Sequence, residues 1–375
     1  MKCTLALLII GLTAGAAHAQ LSARFETPVL RPLGSTLARA VGKSLPVPAA
    51  SAGITFTFDP ATSAFERETD ILGQLYLERA RPIGRGTLTV SFTNQWVHFD
   101  TIDGQELSDL RDVGVPIVDP ASGHQFHIPR FDLGLRSYEV TTSLTYGVTD
   151  DLEVNLTVPI VHTTLDVNAR LVDLTDGHRQ TNTVDDSALG VGDIFLRGKY
   201  LLLHGVFGEL ATGLVFRLPA GNPDNFQGTG NFELSPMLYA SSRAVEVAPG
   251  MRLRGYVNAG LDLVPQDASL GEGRWGVGLD CMLARRVTIA GAFLAREPFS
   301  RLVPAGTFDV PRANGTRTAV FGLDTGHPSY YDISIGGRVD LWRDTVFGVA
   351  NVIVPANRGG IRANVIPLVG IEAVF

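Results

Sequence analysis

The sequence predicts an all-β protein: a transmembrane, antiparallel, up-and-down β-barrel. Three observations predict it. A long series of segments alternates apolar and polar side chains with the two-residue period of a strand. Long and short connections largely alternate between them from Ile83 onward. Beyond the amino-terminal segment there is no run of about 20 apolar residues, so a membrane would be crossed by strands and not by helices.

The chain of 375 residues opens on MKCTLALLIIGLTAGAAHAQ. Lys2 supplies a positive start, Leu5 to Leu12 an apolar core, and Ala17-His18-Ala19 a small-x-small cleavage site. Residues 1–19 are therefore expected to be a secretory signal peptide, cut before Gln20. The apolar core is too short to span a bilayer. Cys3 leaves with the signal, so the mature chain keeps Cys281 alone, without an internal disulfide. Cys281 shares an apolar strand face with Trp275, Val277 and Leu279 and reads as a small hydrophobe.

Residues 20–52 differ from the rest of the mature chain. They are rich in Pro, Ala and Ser, with one helix expected from Ser35 to Leu45. Ser35 would cap it, and Leu37, Val41 and Leu45 recur at helical spacing. Two placements are open: a loose periplasmic tail, or a small plug in the barrel lumen.

Residues 53–375 are expected to form the barrel. The candidate strands are Gly53–Asp59, Leu72–Arg81, Gly86–Phe99, Leu133–Gly147, Leu152–Thr163, Leu189–Leu203, Gly208–Pro219, Gly230–Ser242, Met251–Leu263, Arg274–Leu283, Val287–Arg296, Tyr330–Leu341, Val346–Val354 and Ala363–Phe375. Short connections contain Ile83-Gly84-Arg85, Thr149-Asp150, His204-Gly205, Arg285-Arg286 and Trp342-Arg343-Asp344. The long ones are Asp100–Asp132, Thr164–Ala188, Ala220–Thr229 and Pro298–Ser329. Short periplasmic turns and long external loops are the habit of bacterial outer-membrane barrels. A soluble sandwich also has many strands, but does not need a long loop at every second connection. Counting back from a C-terminal strand that ends in the periplasm gives about 14 strands. The alternative is 12, if the chain before Gly84 is interior and not wall.

The two strand faces differ in chemistry. Leu88, Val90, Phe92 and Trp96 share one face, as do Tyr138, Val140, Leu144 and Tyr146. The two tyrosines are placed to mark the two interfacial girdles. Val346–Val354 is apolar on both faces and its orientation stays open. The opposite faces collect charge, including Glu139, Glu153, Asp193, Arg197, Lys199, Arg217, Glu233, Arg252, Arg254, Asp280 and Arg338. In lipid a midplane Arg or Lys costs about 2–4 kcal/mol, so these side chains are expected to face the lumen. Their signs nearly balance, which favours a narrow lumen braced by ion pairs over a wide ion-selective pore. Asp193, Arg197, Lys199, Arg217, Glu233, Arg252 and Arg254 are the expected constriction.

The last strand ends ANVIPLVGIEAVF. Val365, Val369, Ile371, Ala373 and Phe375 share a face, with Gly370 five residues before the end. The pattern resembles the signal read by the barrel-assembly machinery, although Leu368 stands where that signal has a polar residue.

GVGDIFLRGKY (Gly190–Tyr200), FRLPAGNPDNFQGTGNFELSP (Phe216–Pro236) and LYLERARPIGRGTLTVSFTNQWVHFDTIDGQEL (Leu75–Leu107) resemble, in sequence and in their order along the chain, the outer-membrane proteins named for the phenol-degradation meta-pathway. The resemblance implies an outer-membrane barrel broadly similar to fatty-acid and aromatic-hydrocarbon channels. It carries no established substrate-binding residues.

Other chemistry is sparse. His124 and His127 could be half of a metal site, but no further ligands are apparent. Asp185-Asp186 and Asn222-Pro223-Asp224 read as solvated turns. Gly228-Thr229-Gly230 is no nucleotide loop, because no helix follows. His98 and His162 fall at outer strand ends on the lipid-facing parity and suit the membrane interface better than catalysis. Formal net charge is −7, which argues against nucleic acid as a partner. No cofactor, metal or catalytic residue is expected. The expected role is passive uptake of small hydrophobic or aromatic solutes across a Gram-negative outer membrane. The expected partners are its lipid and lipopolysaccharide, the assembly machinery and the solute. Phe126, Phe131, Phe226, Phe299 and Phe308 would be first contacts for the solute in the outer loops. The alternatives are a structural or surface-interaction barrel with no open pore and, more weakly, a lipid-modifying enzyme.

Overall fold

In a computed structural model of the chain, twelve antiparallel strands close into a barrel. The structure describes residues 21–24, 37, 40–50, 56–59, 64–67, 73, 75–118, 125–284, 286–300, 305–311, 317–323 and 329–375. The expected signal peptide lies outside these residues. The wall strands are β1 (Leu88–Phe99), β2 (Gln125–Gly147), β3 (Leu152–Asp173), β4 (Ile194–His204), β5 (Gly208–Leu218), β6 (Glu233–Ser242), β7 (Met251–Asp262), β8 (Glu272–Ala284), β9 (Val287–Pro298), β10 (Tyr330–Trp342), β11 (Val346–Pro355) and β12 (Ile366–Val374). Each pairs with its sequence neighbours, and β12 returns to β1 with Leu368 opposite Gln95 and Val374 opposite Thr89. Leu88 and Phe375 exchange two backbone hydrogen bonds, of 2.8 and 2.9 Å, at the end of this seam. Closure leaves no unpaired edge in the wall. Among the described residues no helix is long and apolar enough to cross a membrane.

Twelve is the second of the two strand counts expected from sequence. Neither added strand is wall. Phe56–Asp59 pairs instead with Ala64–Arg67 in a separate two-stranded sheet. Residues 75–83 run through the lumen outside any ladder, with Leu75, Leu77, Arg79 and Ala80 all buried. A wall strand must offer one apolar face to lipid, and this segment has none.

The loops differ from expectation as well. Thr164–Asp173 and Arg179–Ala188 are strand, not loop: β3 continues past the apolar belt and pairs there with the strand Arg179–Val191. Beyond that point the outward residues turn polar (Thr164, Asp166, Asn168, Arg170), while Leu165, Val167, Ala169 and Leu171 stay buried inside. The strand period persists; only its polarity changes. Strands Leu110–Val118, Ala305–Pro311 and Arg317–Leu323 occupy parts of the other long connections.

Outside, the wall carries an apolar belt. Phe92, Leu144, Leu156, Leu196, Leu214, Val257, Leu279, Ile335 and Ile371 are exposed. On β2 the belt runs from Tyr138 to Tyr146, eight residues or roughly 27 Å of strand before tilt. That suits a bilayer band of about 25 Å crossed at a slant. Aromatic rings gather at one rim. Trp96 packs at a tilt against Tyr138 with centroids 5.5 Å apart, and Phe293 lies 5.7 Å from Trp275 and 5.8 Å from Tyr331. Tyr146, Tyr200, Trp342 and Phe375 stand exposed at the other. Gly370 pairs with Thr93 in the seam, where a Cβ would meet the Phe92 carbonyl oxygen at 2.6 Å, so only glycine fits without a shift.

Candidate functional site

The lumen is built by strand parity. On β1 the inward positions are Thr89, Thr93 and Gln95, then Val97 and Phe99. On β2 they are Phe131, Leu133 and Leu135, then Ser137, Glu139, Thr141, Ser143 and Thr145. On both of these strands the inward face thus steps from apolar at the loop rim to polar toward the turn rim. The apolar part is one hydrophobic cluster. It includes Val97, Phe99, Phe131, Leu135, Leu165 and Ile353, and residues Leu21, Leu37, Ala40 and Val41 of the amino-terminal segment. Residues 37 and 40–44 are helical, within the expected Ser35–Leu45 span.

That segment enters the barrel and is held largely by its backbone. Arg217 donates to the Gly42 carbonyl at 2.8 Å and Arg296 to that of Lys43 at 2.6 Å. Gln95 donates to Pro46 at 3.2 Å, Arg197 to Pro48 at 3.1 Å and Thr145 to Ala50 at 2.5 Å. Gly42 packs so closely on the outer loop that an added Cβ would lie 2.5 Å from the Gly228 oxygen. Of the two placements left open, the described residues 37 and 40–50 adopt the lumenal one.

Charge is distributed in pairs. At the loop side Asp193 accepts from Arg217 Nε at 2.7 Å, from the backbone of Gly221 at 3.1 Å and from the backbone of Thr229 at 2.8 Å. Glu233 lies 3.7 Å from both Arg217 and Lys43. Nearer the turn rim Lys199 lies 2.7 Å from Glu153 and 3.3 Å from Glu78. It also donates to the Arg79 carbonyl at 2.8 Å. Glu78 is further fixed by Asn258, whose side chain accepts from its N–H at 2.7 Å and donates to its carbonyl at 2.9 Å. Burial pushes the Glu78 carboxyl up, but Lys199 and Arg197, with the Ala50 N–H, outweigh it and hold the group below the ordinary carboxylate range. Arg338 on β10 binds Glu372 on β12 at 3.0 Å, across β11.

The expected constriction residues all turn inward. Asp193, Arg217 and Glu233 come together in one cluster, Lys199 belongs to a second, and Arg197 grips the amino-terminal segment. Arg252 and Arg254 lie on β7 opposite Met282 and Asp280, apart from both clusters. The expected loop contacts fare differently. Phe131 and Phe226 are fully buried in the apolar cluster, because the interior above the belt is a core and not a surface. Phe299 is exposed at the loop rim. Phe126 and Phe308 fall in strands, and their own side chains lie outside the described residues.

Sequence reading missed the lumenal roles of Glu78 and Arg79. The signal was present in Glu78-Arg79-Ala80-Arg81: charges at consecutive positions would put one of them in lipid on any wall strand. It also missed Arg362, which binds Asp332 at 2.7 Å, because a two-residue strand, Ile361–Arg362, is too short to show a face. His98 is exposed, 3.5 Å from Asp100, and His162 pairs across from Tyr138 and Leu189. Asn222 caps a single 3-10 turn by accepting from the Asp224 N–H at 3.0 Å. Among the described residues no three His, Cys, Asp or Glu side chains converge as a metal site.

A cavity of about 170 Å³ remains between the amino-terminal segment and strands β6 to β12. Leu45, Leu77, Phe99, Leu294 and Ile353 line one part, and Arg274, Arg296 and Arg362 another. A second of about 110 Å³ shares Tyr76, Met237, Asn258 and Arg274 with it and reaches Arg197, Arg217 and Glu233.

Comparison with known proteins finds distant likenesses. No family model matches the chain, and no curated relative does, so the family resemblance rests on its motifs alone. An outer membrane channel of Pseudomonas putida F1 is 12% identical with a TM-score of 0.45, over 80% of this chain and 100% of that one. The NanC porin is 8% identical with a TM-score of 0.39, over 76% and 98%. The CymD monoaromatic hydrocarbon channel is 7% identical with a TM-score of 0.35, over 78% and 89%. At such scores neither fold nor role follows from the neighbours. The strands and side chains of this chain define a closed β-barrel with a lipid-type exterior and a braced, partly filled lumen.

Proposed function

We propose that the protein is a channel of the Gram-negative outer membrane for passive uptake of small hydrophobic or aromatic solutes. The observation that carries this is the apolar interior at the loop rim, which continues into a cavity between the amino-terminal segment and the wall. A lumen built only to stay shut has no need of that gradient. Lipopolysaccharide slows apolar solutes at the cell surface, and an apolar vestibule would accept them from that side. In this orientation the long connections face outward and the short turns face the periplasm, as in bacterial barrels generally. Gly370 and Phe375 would be the assembly signal. The experiment is uptake of radiolabelled toluene and octanoate into liposomes with and without the protein. Faster uptake with the protein supports the channel; equal rates in both overturn it.

A second reading is a structural barrel with no open path. The grip of five wall side chains on the carbonyls of residues 42–50 favours it. Equal liposome rates that stay equal after deletion of residues 21–50 would establish that reading.

A further inference from the structure

The 170 Å³ cavity has a size and a charge arrangement that narrow what it can hold. An engineered protein cavity of about 150 Å³ lined by Leu, Ile and Phe takes one benzene. The volume here therefore suits one six-membered ring and a small substituent. Leu45, Leu77, Phe99, Leu294, Ile353 and Ile366 supply apolar surface for the ring.

The substituent is chosen by the charges. Arg274 binds Asp262 at 2.5 Å and Glu272 at 2.9 Å, and Arg296 lies 3.8 Å from Glu272. Sign for sign these pairs balance. Their exposure does not. The Arg274 side chain is 35% exposed against 3% for Asp262 and 1% for Glu272, and Arg296 is 18% exposed. The carboxylates lie behind their partners, and the cavity is presented with guanidinium groups. Asp332, 19% exposed and bound to Arg362, is the one acid among the lining residues. Arg296 and Arg362 each sit 4.6 Å from the centre of the Tyr330 ring, which fixes both cations at the cavity margin. A guanidinium already oriented by other contacts loses little entropy on taking a carboxylate.

The geometry points to a binding site for a single-ring aromatic carboxylate, with the ring against Leu77 and Leu294 and the carboxylate on Arg274 and Arg296. This rests on the uptake reading above and gives it a substrate class: amphipathic anions, in preference to neutral hydrocarbons. The ring enters through the apolar interior, and the arginines hold its charged end at the start of the polar lumen.

The test is equilibrium dialysis of the full mature chain in lipid nanodiscs against labelled benzoate and, separately, its neutral counterpart benzyl alcohol. Saturable benzoate binding, favoured about tenfold over benzyl alcohol, is the expected ratio for one charge-assisted pair. Arg296→Gln should remove most of that preference. Leu294→Trp, which fills the apolar part and leaves the charges, should abolish binding of both. Heat-dependent gel mobility checks that each variant is folded. Equal affinity for the two compounds, no saturable binding of either, or benzoate binding unchanged in Leu294→Trp would each overturn the site. Toluene and octanoate uptake by the unaltered protein is measured in parallel. Uptake of either without benzoate preference overturns the carboxylate site alone, whereas no uptake of either overturns the channel itself.

Discussion

On β2 the inward side chains Phe131, Leu133 and Leu135 are apolar, and their outward neighbours Arg130, Asp132 and Arg136 are polar or charged. Further along the same strand the inward Glu139, Thr141, Ser143 and Thr145 are polar, and the outward Leu144 and Tyr146 are apolar. β3 makes the same exchange between Glu153, Asn155 and Thr157 and the later Leu165, Val167 and Ala169. The two regions share strands, register and parity; what differs is the medium outside. At belt depth the exterior meets lipid, so polar groups are driven inward, where they need partners. Past the belt the exterior meets water, and the interior reverts to a hydrophobic core.

This contrast between the two regions can be broken at several points. The largest effect is expected for Lys199→Met, which leaves Glu153 buried without its cation and Glu78 beside Arg197, and should cost about 3–5 kcal/mol. Urea unfolding in lipid vesicles measures it, and adding Glu153→Gln should recover part of the loss. A neutral result would mean water reaches the polar region freely.

In the apolar region Leu135→Ala should cost about 2–5 kcal/mol, as a cavity in a core does. Thr141→Ala, on the same face at belt depth, removes one hydrogen bond to Glu139 and should cost about 0.5–1.5 kcal/mol. Similar losses at the two sites would deny that one is a core and the other a lumen.

The outer faces give the converse test. Leu144→Arg places a charge in the belt at about 2–4 kcal/mol, whereas Asn168→Arg on the upper exterior should stay within about 0.5 kcal/mol. Matching unfolding curves for the two variants would misplace the membrane boundary.

The smallest effect belongs to the exposed Arg136–Asp166 pair at 2.7 Å, where Arg136→Ala should cost no more than about 1 kcal/mol in the same unfolding assay.

Much of the wall was legible in the chain. The period of Leu152–Ile160 or Tyr331–Leu341 depends only on a strand showing alternate residues to two media, and lipid against lumen is a strong contrast. The inward direction of Asp193, Lys199 and Arg217 followed from the cost of charge in lipid. Legibility ended where that contrast ended. The upper parts of β2 and β3 read as loop because their outward residues become polar. Phe131 and Phe226 read as exposed contacts because an aromatic near a loop has no parity to fix its side.

By itself the sequence determined an alternating, closed barrel with charge inside, since those features depend on solvation along each strand. Only the tertiary structure decided what fills it. Residues 75–83 are buried in the lumen by bonds to Lys199, Asn258, Ser241 and Glu153, none of them near in sequence. It also decided the facing of β11, where Phe347, Val349, Asn351 and Ile353 turn inward. A strand apolar on both faces is oriented by the register in which it pairs, here with its sequence neighbours β10 and β12.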